Sequence, residues 1–458
     1  MATDEFDVIV VGAGMAGLGC AGELVLRGAR PLLICETAEV GSLFRATWIG
    51  KNRAFGQFPT RQHGYDWWFR LARALNVPLN LYPGPDVEAT VRGSGAFHPL
   101  HRAVSSAALT ETVAKIVGLP VEHLRPSFED VMHRALAIPF DDLMQLHDVP
   151  LGQWVEDQKA DELAAQIVLT LCANVNAVSV EEAREHLSVF GAFGYLRGFL
   201  CGEADMVIMN PDPREALAIP LARAIEARGG TVWRGRKVTE VPVANGRAGT
   251  VVLEDGTEVS APAVALACGP SRIGALLNPV PDELHAPLAN YDRMVPKNEF
   301  STIAVLDRQV VKPDPNLVMV FNTDGSNLQW MWPQEVLAPW TAEPGKQIVV
   351  TVATVNDERI AAEGGRDGVH QRMHAVNDEL FPGYTDAIVG TATVNHKYLW
   401  FTTGWVGPKL QRAVEEVDGL WLVGDSTFPA AGMSSMDAAC GAGVLGARAI
   451  HARRQATA

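Results

Sequence analysis

Three glycines and one acid near the start of the chain have the types and spacing needed to bind a dinucleotide. Gly12, Gly14 and Gly17 form a G-x-G-x-x-G motif, and Glu36 follows downstream. In such a motif the first glycine turns the chain, the second admits a pyrophosphate against the backbone, and the third lets a helix pack closely on a strand. The helix N-terminus then faces the phosphates, while the acid accepts hydrogen bonds from a ribose diol.

A strand, a turn, a helix and a second strand must position these residues, and the sequence predicts all four. Val8–Val11 is an unbroken β-branched run, typical of a parallel strand buried on both faces. A helical pattern covers Met15–Arg27, Gly28 ends it, and Pro31–Cys35 forms a second apolar strand that ends before Glu36. An ordinary glycine-rich turn is the alternative for an isolated motif, but here every part is in register. We therefore predict a dinucleotide-binding unit.

A second acid follows an apolar strand near the other end of the chain. The predicted strand Leu420–Val423 ends on Gly424 and Asp425, and a helix begins near Gly432. A nicotinamide dinucleotide does not require this element, whereas FAD does, because its ribityl chain needs a polar anchor and its reduced ring is stabilised by a helix N-terminus. A tight turn with an exposed aspartate is the alternative for this segment alone. Together the two segments predict FAD.

The composition and charge exclude several classes of protein. The chain has 458 residues, of which 48% are hydrophobic and 20% charged, so we expect a globular protein of two or three domains. The net charge of −15 and the isoelectric point of about 5.3 leave no basic stripe for phosphates, which excludes nucleic acid as a partner. The sequence contains no run of about 18 apolar residues, so no transmembrane segment is predicted.

Cysteine usage and the start of the chain favour a cytoplasmic protein. The six cysteines include no C-x-x-C pair, and Cys20 and Cys35 fall inside the nucleotide-binding unit, so we predict buried thiols. The first strand begins within seven residues, which leaves no room for a signal peptide. Trp67 and Trp68 on a predicted amphipathic helix, 66–75, leave peripheral membrane contact open, with burial at a domain junction as the alternative. The oligomeric state is not predicted.

The pattern along the chain predicts an α/β fold made of two domains. A Rossmann-type domain is expected from the discontinuous segments 1–75, 205–290 and 410–458. A substrate domain is expected from a helical segment, 76–204, and an antiparallel sheet, 291–409. The strand-like stretches of that sheet are Phe300–Leu306, Leu317–Phe321, Leu328–Trp332 and Ile348–Val355, and Gly191–Gly202 is interpreted as an aromatic, glycine-rich link.

The chain resembles the amine oxidase/phytoene desaturase superfamily of FAD-dependent oxidoreductases along nearly its whole length. Four blocks match in order: VGAGMAGL with Glu36; Gly41 to Arg45; LARAIEARGGTVWRGRKVTEV with VVLEDGTEVSAPAVALACGP; and LWLVGDSTFPAAGMSSMDAACGAGVLGA. The resemblance implies non-covalent FAD, because no Cys or His matches an attachment position. It carries the FAD contacts over to Gly12, Gly14, Gly17, Glu36, Arg45, Val238, Gly424, Asp425 and Met433. The Gly41–Arg45 stretch departs from the usual Gly-Gly-Arg.

Departures from the family pattern indicate the subgroup. Amine oxidases of the family carry a lysine on a substrate-domain strand, and matching by pattern puts Thr302 there. Their amine-holding aromatic is missing from AAGMSSMDAA, and the Gly-Asp-x-x-x-Pro-x-x-Gly loop is similar to the desaturase-like branch. This favours dehydrogenation of a C–C bond in an apolar terpenoid, polyene or alicyclic ketone by hydride transfer to flavin N5. The alternatives are oxidation of an amine C–N bond and a non-catalytic or redox-neutral FAD protein.

Two residues are candidates for the catalytic base or carbonyl donor. His63 follows the stretch that the family places beside the flavin ring, and Tyr195 is a candidate for the substrate channel. A surface histidine and a core aromatic are the alternatives. His370 and His374 have a spacing that can bind zinc, but a solvated helix face is favoured and no metal site is predicted. Because only one G-x-G-x-x-G, at Gly12–Gly17, lies between a predicted strand and a predicted helix, the expected electron acceptor is dioxygen, a quinone or a protein.

Overall fold

Strands from all parts of the chain are present in a computed structural model that describes residues 6–41, 43–55, 59–99, 105–176, 178–202, 204–293, 297–311, 317–321, 329–355, 357–398, 404–432 and 435–457. The strands are β1 (Val8–Val11), β2 (Pro31–Cys35), β3 (Ala46–Ile49), β4 (Asn52–Phe55), β5 (Thr60–Gln62), β6 (Leu81–Pro83), β7 (Val87–Val91), β8 (His98–Pro99), β9 (Ala204–Met209), β10 (Thr231–Arg234), β11 (Val238–Pro242), β12 (Thr250–Leu253), β13 (Glu258–Ser260), β14 (Val264–Leu266), β15 (Leu277–Asn278), β16 (Lys297–Leu306), β17 (Leu317–Phe321), β18 (Gln329–Pro333), β19 (Gln347–Val355), β20 (Ile388–Tyr398), β21 (Leu410–Gln411), β22 (Leu420–Leu422) and β23 (Thr427–Phe428).

Helices separate these strands. They are α1 (Met15–Leu26), α2 (Trp67–Ala74), α3 (Ser106–Val117), α4 (Val121–Leu124), α5 (Asp130–Ala137), α6 (Phe140–Met144), α7 (Leu151–Asp157), α8 (Glu162–Val175), α9 (Val180–Glu185), α10 (Val189–Leu200), α11 (Ile219–Glu226), α12 (Pro270–Leu276), α13 (Asp282–Arg293), α14 (Gln334–Leu337), α15 (Asp357–Ala362), α16 (Arg366–Leu380) and α17 (Ser435–Thr457). Within the described residues, none of these helices combines the length and apolar character needed to cross a membrane.

A parallel sheet carries the glycine motif at its carboxyl edge. Its strand order is β10-β2-β1-β14-β22, so strands that are far apart in sequence become neighbours. Alternate residues of β1 enter two different cores: Val8 and Val10 pack with α1 and α17, whereas Ile9 and Val11 belong to the cluster that includes Val241. Burial on both faces explains why this strand is apolar without alternation.

The helices α1 and α17 pack against each other with their backbones in close contact. A Cβ added at Gly19 of α1 would lie 2.5 Å from the Cys440 carbonyl oxygen of α17, and one at Gly443 would lie 2.0 Å from the Ala16 carbonyl oxygen. Further along both helices, Glu23 pairs with Arg448 at 2.9 Å. The helices therefore run in the same direction, and their N-termini lie together at the carboxyl edge of the parallel sheet.

A second, larger sheet is mostly antiparallel. Its strand order is β20-β16-β19-β18-β17-β7-β8, and β17 pairs in parallel with β7. One face packs on α16 through Phe300 and Ala304, and we call it the outer face. The other face, with Ile303, Val350 and Trp332, joins the cluster formed by the helices α3 to α10, and we call it the inner face. The four predicted strand-like stretches are strands of this sheet, except that Leu328 lies outside the described residues.

The segment 191–202, interpreted from its glycines as a link, is part of the helix α10. Ser188 caps this helix, since its Oγ accepts a hydrogen bond from the Gly191 N–H at 3.0 Å. A Cβ at Gly191 would lie 2.6 Å from the Gly404 Cα, so the glycine permits close packing here and does not end the helix. The interpretation as a link was wrong because glycine at a buried helix contact resembles glycine in a turn.

The segment 76–204 also differs from the helical prediction at its start. Its residues 81–99 form β6, β7 and β8, and β7 joins the larger sheet through β17. The remainder is helical from Ser106 to Leu200, with turns and short links between the helices. The division of the chain into a cofactor domain of three segments and a substrate domain stays our proposal.

Candidate cofactor and substrate site

The glycine turn after β1 accepts no larger residue at two positions. Gly12 has φ +107°, and its N–H donates to the Ile34 carbonyl at 2.9 Å. A Cβ there would lie 2.5 Å from the Ala267 carbonyl oxygen, and a Cβ on Gly17 would lie 1.8 Å from the Gly12 carbonyl oxygen. The turn therefore depends on glycine for both backbone conformation and helix approach, as the motif predicts.

The N-terminus of α1 follows this turn without a side-chain cap. Gly14 takes the N-cap position with extended backbone, and the first turn of α1 carries no acidic residue. The N–H groups at this end are thus available to an anionic group of a ligand. The site fits a pyrophosphate, because the cradle is lined by backbone donors and is closed to side chains.

The loop that contains Arg45 lies beside the glycine turn. Gly41 has φ +100° and donates its N–H to the Ala13 carbonyl at 2.9 Å. Arg45 itself is exposed, and its guanidinium makes no ion pair within the described part of the chain. Ser42 lies outside the described residues. The backbone contact brings Arg45 near the predicted pyrophosphate site, and its binding role stays a prediction.

Glu36 and Val238 meet at a residue that the sequence did not single out. Glu36 is exposed just beyond β2, and one carboxylate oxygen lies 3.8 Å from Arg272 Nη2. The same Nη2 donates to the Val238 carbonyl at 3.0 Å. Arg272 follows β14 in the stretch CGPSR, so its place just after a buried strand is the signal that could have revealed it.

Asp425, the second acid predicted to bind the cofactor, follows a different strand of the parallel sheet from Glu36. Gly424 and Asp425 follow β22, which pairs with β14, and β14 pairs with β1. Burial raises the pKa of Asp425 to about 6, and hydrogen bonds from its own backbone N–H and that of Ser426 partly offset this rise. Tyr291 supports the loop by donating its hydroxyl to the Ser426 carbonyl at 2.5 Å. Met433 lies outside the described residues.

Hydrogen bonds join the helix α2 to the start of α17 and to the loop before it. Trp67 Nε1 donates to the Ala431 carbonyl at 2.7 Å, and Asp437 Oδ1 accepts from the backbone N–H of Trp68 at 3.2 Å. Asp437 is fully buried, and burial raises its pKa to about 8. Trp68 is also fully buried, in agreement with a place at a junction between elements. These contacts fix the segment in front of α17 and were not predicted, because they join residues far apart in sequence.

The two candidate catalytic residues lie on different elements. His63 follows β5, is exposed, and places Nε2 3.1 Å from Asp205 Oδ2 on β9. Tyr195 lies in α10, is 2% exposed, and belongs to the cluster of the helical layer. A Cβ at Gly432 would lie 2.9 Å from Gln62 Oε1, so the His63 segment does run beside the loop in front of α17. The catalytic roles of both residues stay predictions.

Thr302 does not face the inner side of the larger sheet. Its hydroxyl lies 2.6 Å from His370 Nδ1 of α16, on the outer face. Strand alternation therefore places Ser301 and Ile303 on the inner face. The match of Thr302 to the lysine position of the amine oxidases stays a prediction, and a shift of one residue would exchange the two faces of the strand.

The prediction that His370 lies on a solvent-exposed face of its helix was wrong. His370 is 6% exposed, and its Nε2 lies 3.0 Å from Asn395 Oδ1. Burial lowers the pKa of both His370 and His374. In the part of the chain that the structure describes, no group of three His, Cys, Asp or Glu residues could hold a metal ion.

Comparison with known proteins agrees with this geometry. The DAO family, described as FAD dependent oxidoreductase, matches residues 7–411. The chloroplastic prolycopene isomerase of Daucus carota is 26% identical over 261 residues, which are 47% of this chain and 40% of that protein. The matched part therefore spans less than half of that relative.

Two solved structures show the same fold. Cyclohexylamine oxidase from Brevibacterium oxydans IH-35A has a TM-score of 0.68 and 13% identity, with coverage of 98% of this chain and 100% of that chain. An oxidoreductase from Methanosarcina mazei has a TM-score of 0.65 and 15% identity, with coverage of 95% and 98%. At these identities the likeness concerns the fold alone. Since the family match covers most of a chain whose glycine turn and paired helix N-termini fit a dinucleotide, this protein belongs to the FAD-dependent oxidoreductase family and has FAD as its cofactor.

Proposed function

We propose that this oxidoreductase dehydrogenates a C–C bond of an apolar small molecule, such as a terpenoid, a polyene or an alicyclic ketone. The observation that carries the proposal is the inner face of the larger sheet. There β16 presents Ser301 and Ile303, and the neighbouring positions are Val350, Val352 and Trp332. Apolar walls with few polar groups suit a substrate that is held by burial of area, at about 25 cal/mol per Å².

Each end of the cofactor has candidate binding groups on this chain. The α1 N-terminus and Arg45 are assigned to the pyrophosphate, Glu36 to the adenosine ribose, and Asp425 to the ribityl chain. When bound, the flavin supplies the hydride acceptor. The protein must hold the reacting carbon about 3–3.5 Å from that acceptor and exclude water. We assign removal of the proton from the neighbouring carbon to His63 or Tyr195.

FAD retention should fall as the pH is lowered through about 6. Because the pKa of Asp425 is raised, most of its carboxyl groups are protonated and neutral below that pH. The charged acceptor for the ribityl hydroxyl groups is then lost. Equilibrium dialysis of the holoprotein at a series of pH values measures the effect. Asp425→Asn should bind FAD more weakly and without this step. A step of the same size in both proteins would assign the pH dependence to another group.

We expect NADH and NADPH to leave the flavin oxidised. Of the G-x-G-x-x-G matches, only Gly12–Gly17 directly follows a strand, whereas the others, which include Gly441–Gly446, lie inside the helices α1 and α17. No second nucleotide motif for a nicotinamide is therefore present among the described residues. Dioxygen, a quinone or a protein is therefore the proposed acceptor for the reduced flavin. Stopped-flow mixing with NADPH under anaerobic conditions is the check, and rapid, saturable bleaching would contradict the expectation. A cytoplasmic location is part of the same proposal.

Specific observations favour two alternatives. Glu299, 4% exposed, occupies the inner face, and a buried carboxylate suits a protonated amine, as in oxidation of a C–N bond. The name of the carrot relative favours a redox-neutral isomerisation. The proposed dehydrogenation differs from both in its products, because it leaves a new C=C bond and a reduced flavin.

Anaerobic mixing with panels of cyclic ketones, unsaturated terpenoids and primary amines tests the proposal. Bleaching of the flavin by ketones or terpenoids is expected, and bleaching by amines alone would overturn it. His63→Ala and Tyr195→Phe should then slow the reduction by the reactive class. Unchanged rates in both variants would remove these residues from the mechanism.

A further inference from the structure

Two residues on the inner face of the larger sheet, Ser301 and Thr354, carry hydroxyl groups without a hydrogen-bond partner among the described residues. Thr354 of β19 is 5% exposed, and its Oγ1 makes no hydrogen bond. Ser301 of β16 is 3% exposed, and its hydroxyl makes no hydrogen bond within the part of the chain that the structure describes. Burying a hydroxyl without a partner is unfavourable, whereas alanine or valine would fill these positions without that cost.

The outer face of the same strands shows the opposite behaviour. Thr302, next to Ser301, bonds to His370, and Thr351 accepts a hydrogen bond from Asn377 Nδ2 at 2.7 Å. The helix α16 supplies both partners. The buried threonines Thr302 and Thr351 of the outer face are thus paired by α16, whereas the buried Thr354 of the inner face is not.

The inner face around Ser301 is incompletely covered. In register across the sheet, Ser301 is flanked by Val394 of β20 and Val352 of β19, and Val352 is followed by Trp330 of β18. These three apolar side chains are only half-buried, although β19 and β18 are internal strands. Because a covered face would bury Val352 and Trp330 on these internal strands, their exposure indicates a crevice beside Ser301.

Thr354 borders the same crevice. It is paired in register with Glu299, which makes it the diagonal neighbour of Ser301 on the same face. Ser301 and Thr354 can each donate one hydrogen bond and accept others. Glu299 lies on the same face, opposite Thr354, and the other neighbours of Ser301 are apolar. Two such donors match one oxygen atom on an otherwise apolar molecule.

We propose that Ser301 and Thr354 form a polar anchor for a carbonyl oxygen, so that the substrate is an alicyclic ketone and not a hydrocarbon polyene. This inference rests on the proposed dehydrogenation. Hydrogen bonds to the carbonyl acidify the adjacent C–H bond. The proton of that α-carbon goes to a base of the protein, the β-carbon loses a hydride to FAD, and a C=C bond forms between the two carbons.

Ligand binding by matched pairs tests the anchor directly. The probes are cyclohexanone against cyclohexane and menthone against menthane. Each is added to holoenzyme whose flavin has first been reduced with dithionite, so that no ketone is oxidised, and the dissociation constants are measured by calorimetry. We expect each ketone to bind about tenfold more tightly than its hydrocarbon, as one gained hydrogen bond provides. Ser301→Ala and Thr354→Val should each reduce that ratio, and the double variant should bring it close to one.

The control is Thr302→Val, on the same strand and the opposite face. It should leave the ketone ratio unchanged and lower the melting temperature, because it removes the bond to His370. Thr354→Val should instead raise the melting temperature of the ligand-free protein, since it replaces an unpartnered hydroxyl by an isosteric methyl. A lower melting temperature for Thr354→Val would show a structural role and overturn the anchor.

The remaining outcomes separate the anchor from the proposed function. Equal binding of ketones and hydrocarbons, or no ketone binding at all, overturns the anchor. If unsaturated terpenoid hydrocarbons still bleach the flavin, the proposed dehydrogenation stands without it. Bleaching by cyclohexylamine alone overturns both the anchor and the proposed dehydrogenation. The inner face, with Glu299, would then be the binding site of an amine.

Discussion

Gly443→Ala should lower the free energy of unfolding by about 3 kcal/mol and strip the protein of FAD. The added Cβ would lie 2.0 Å from the Ala16 carbonyl oxygen and 2.8 Å from the Cys20 backbone nitrogen. Both neighbours are backbone atoms of α1, so the clash can be relieved only by separating the two helices. That separation moves the α1 N-terminus away from the α17 N-terminus, and the proposed cofactor site uses both. Denaturant unfolding and the absorbance of the purified protein measure the two effects.

Gly274→Ala is the matched control for this substitution. Gly274 also lies within a helix, α12, where a Cβ would meet the Leu288 side chain at 3.4 Å, an ordinary contact. Alanine there should be neutral or stabilising by up to about 1 kcal/mol, because glycine is a poor helix former. If Gly443→Ala keeps FAD and unfolds like the control, the close approach of α1 and α17 is not what fixes the site.

Glu36→Ala should weaken FAD binding by about 10- to 150-fold, the loss of about 1.5–3 kcal/mol expected when a ribose diol loses a charged acceptor. Glu36 is exposed, and its ion pair with Arg272 is long, at 3.8 Å. An exposed pair of this kind contributes little to folding, so the melting temperature of the apoprotein should stay nearly constant. Titration of the apoprotein with FAD measures the affinity.

Glu258→Ala controls for the loss of one negative charge. Glu258 is an exposed acid on β13, and its substitution should leave FAD binding unchanged. Glu36→Gln keeps a neutral oxygen acceptor, so its affinity should fall between those of the wild type and Glu36→Ala. Equal FAD affinity of the wild type and Glu36→Ala would show that another group holds the ribose.

The parts of the fold that were predicted correctly are those fixed by local constraints. The strand β1, the glycine turn and the helix α1 are set by residues within one short stretch, where φ at Gly12 and the contact at Gly17 permit nothing else. Asp425 at the end of β22 could be found for the same reason, as a polar residue that directly follows a buried strand. In both cases the signal and its structural cause lie in the same few residues.

The features that were missed depend on contacts between distant segments. Arg272 touches Glu36 and Val238 only because β14 returns beside β1, and Asp437 meets Trp68 only because α17 packs on α2. The face occupied by Thr302 required the register of β16 to be known to one residue. Such contacts leave no periodicity in the sequence, and only the place of Arg272 after a buried strand gives a local signal.

The balance of products in a single anaerobic turnover tests the central claim most directly. The holoenzyme is mixed with a ketone or terpenoid that bleaches its flavin, and both the reduced flavin and the organic product are measured. The proposed dehydrogenation predicts about one new C=C bond for each FAD reduced, with both hydrogen atoms lost from adjacent carbons. An isomerised product without flavin reduction, or flavin reduction only with amines that lose a C–N hydrogen, would contradict it.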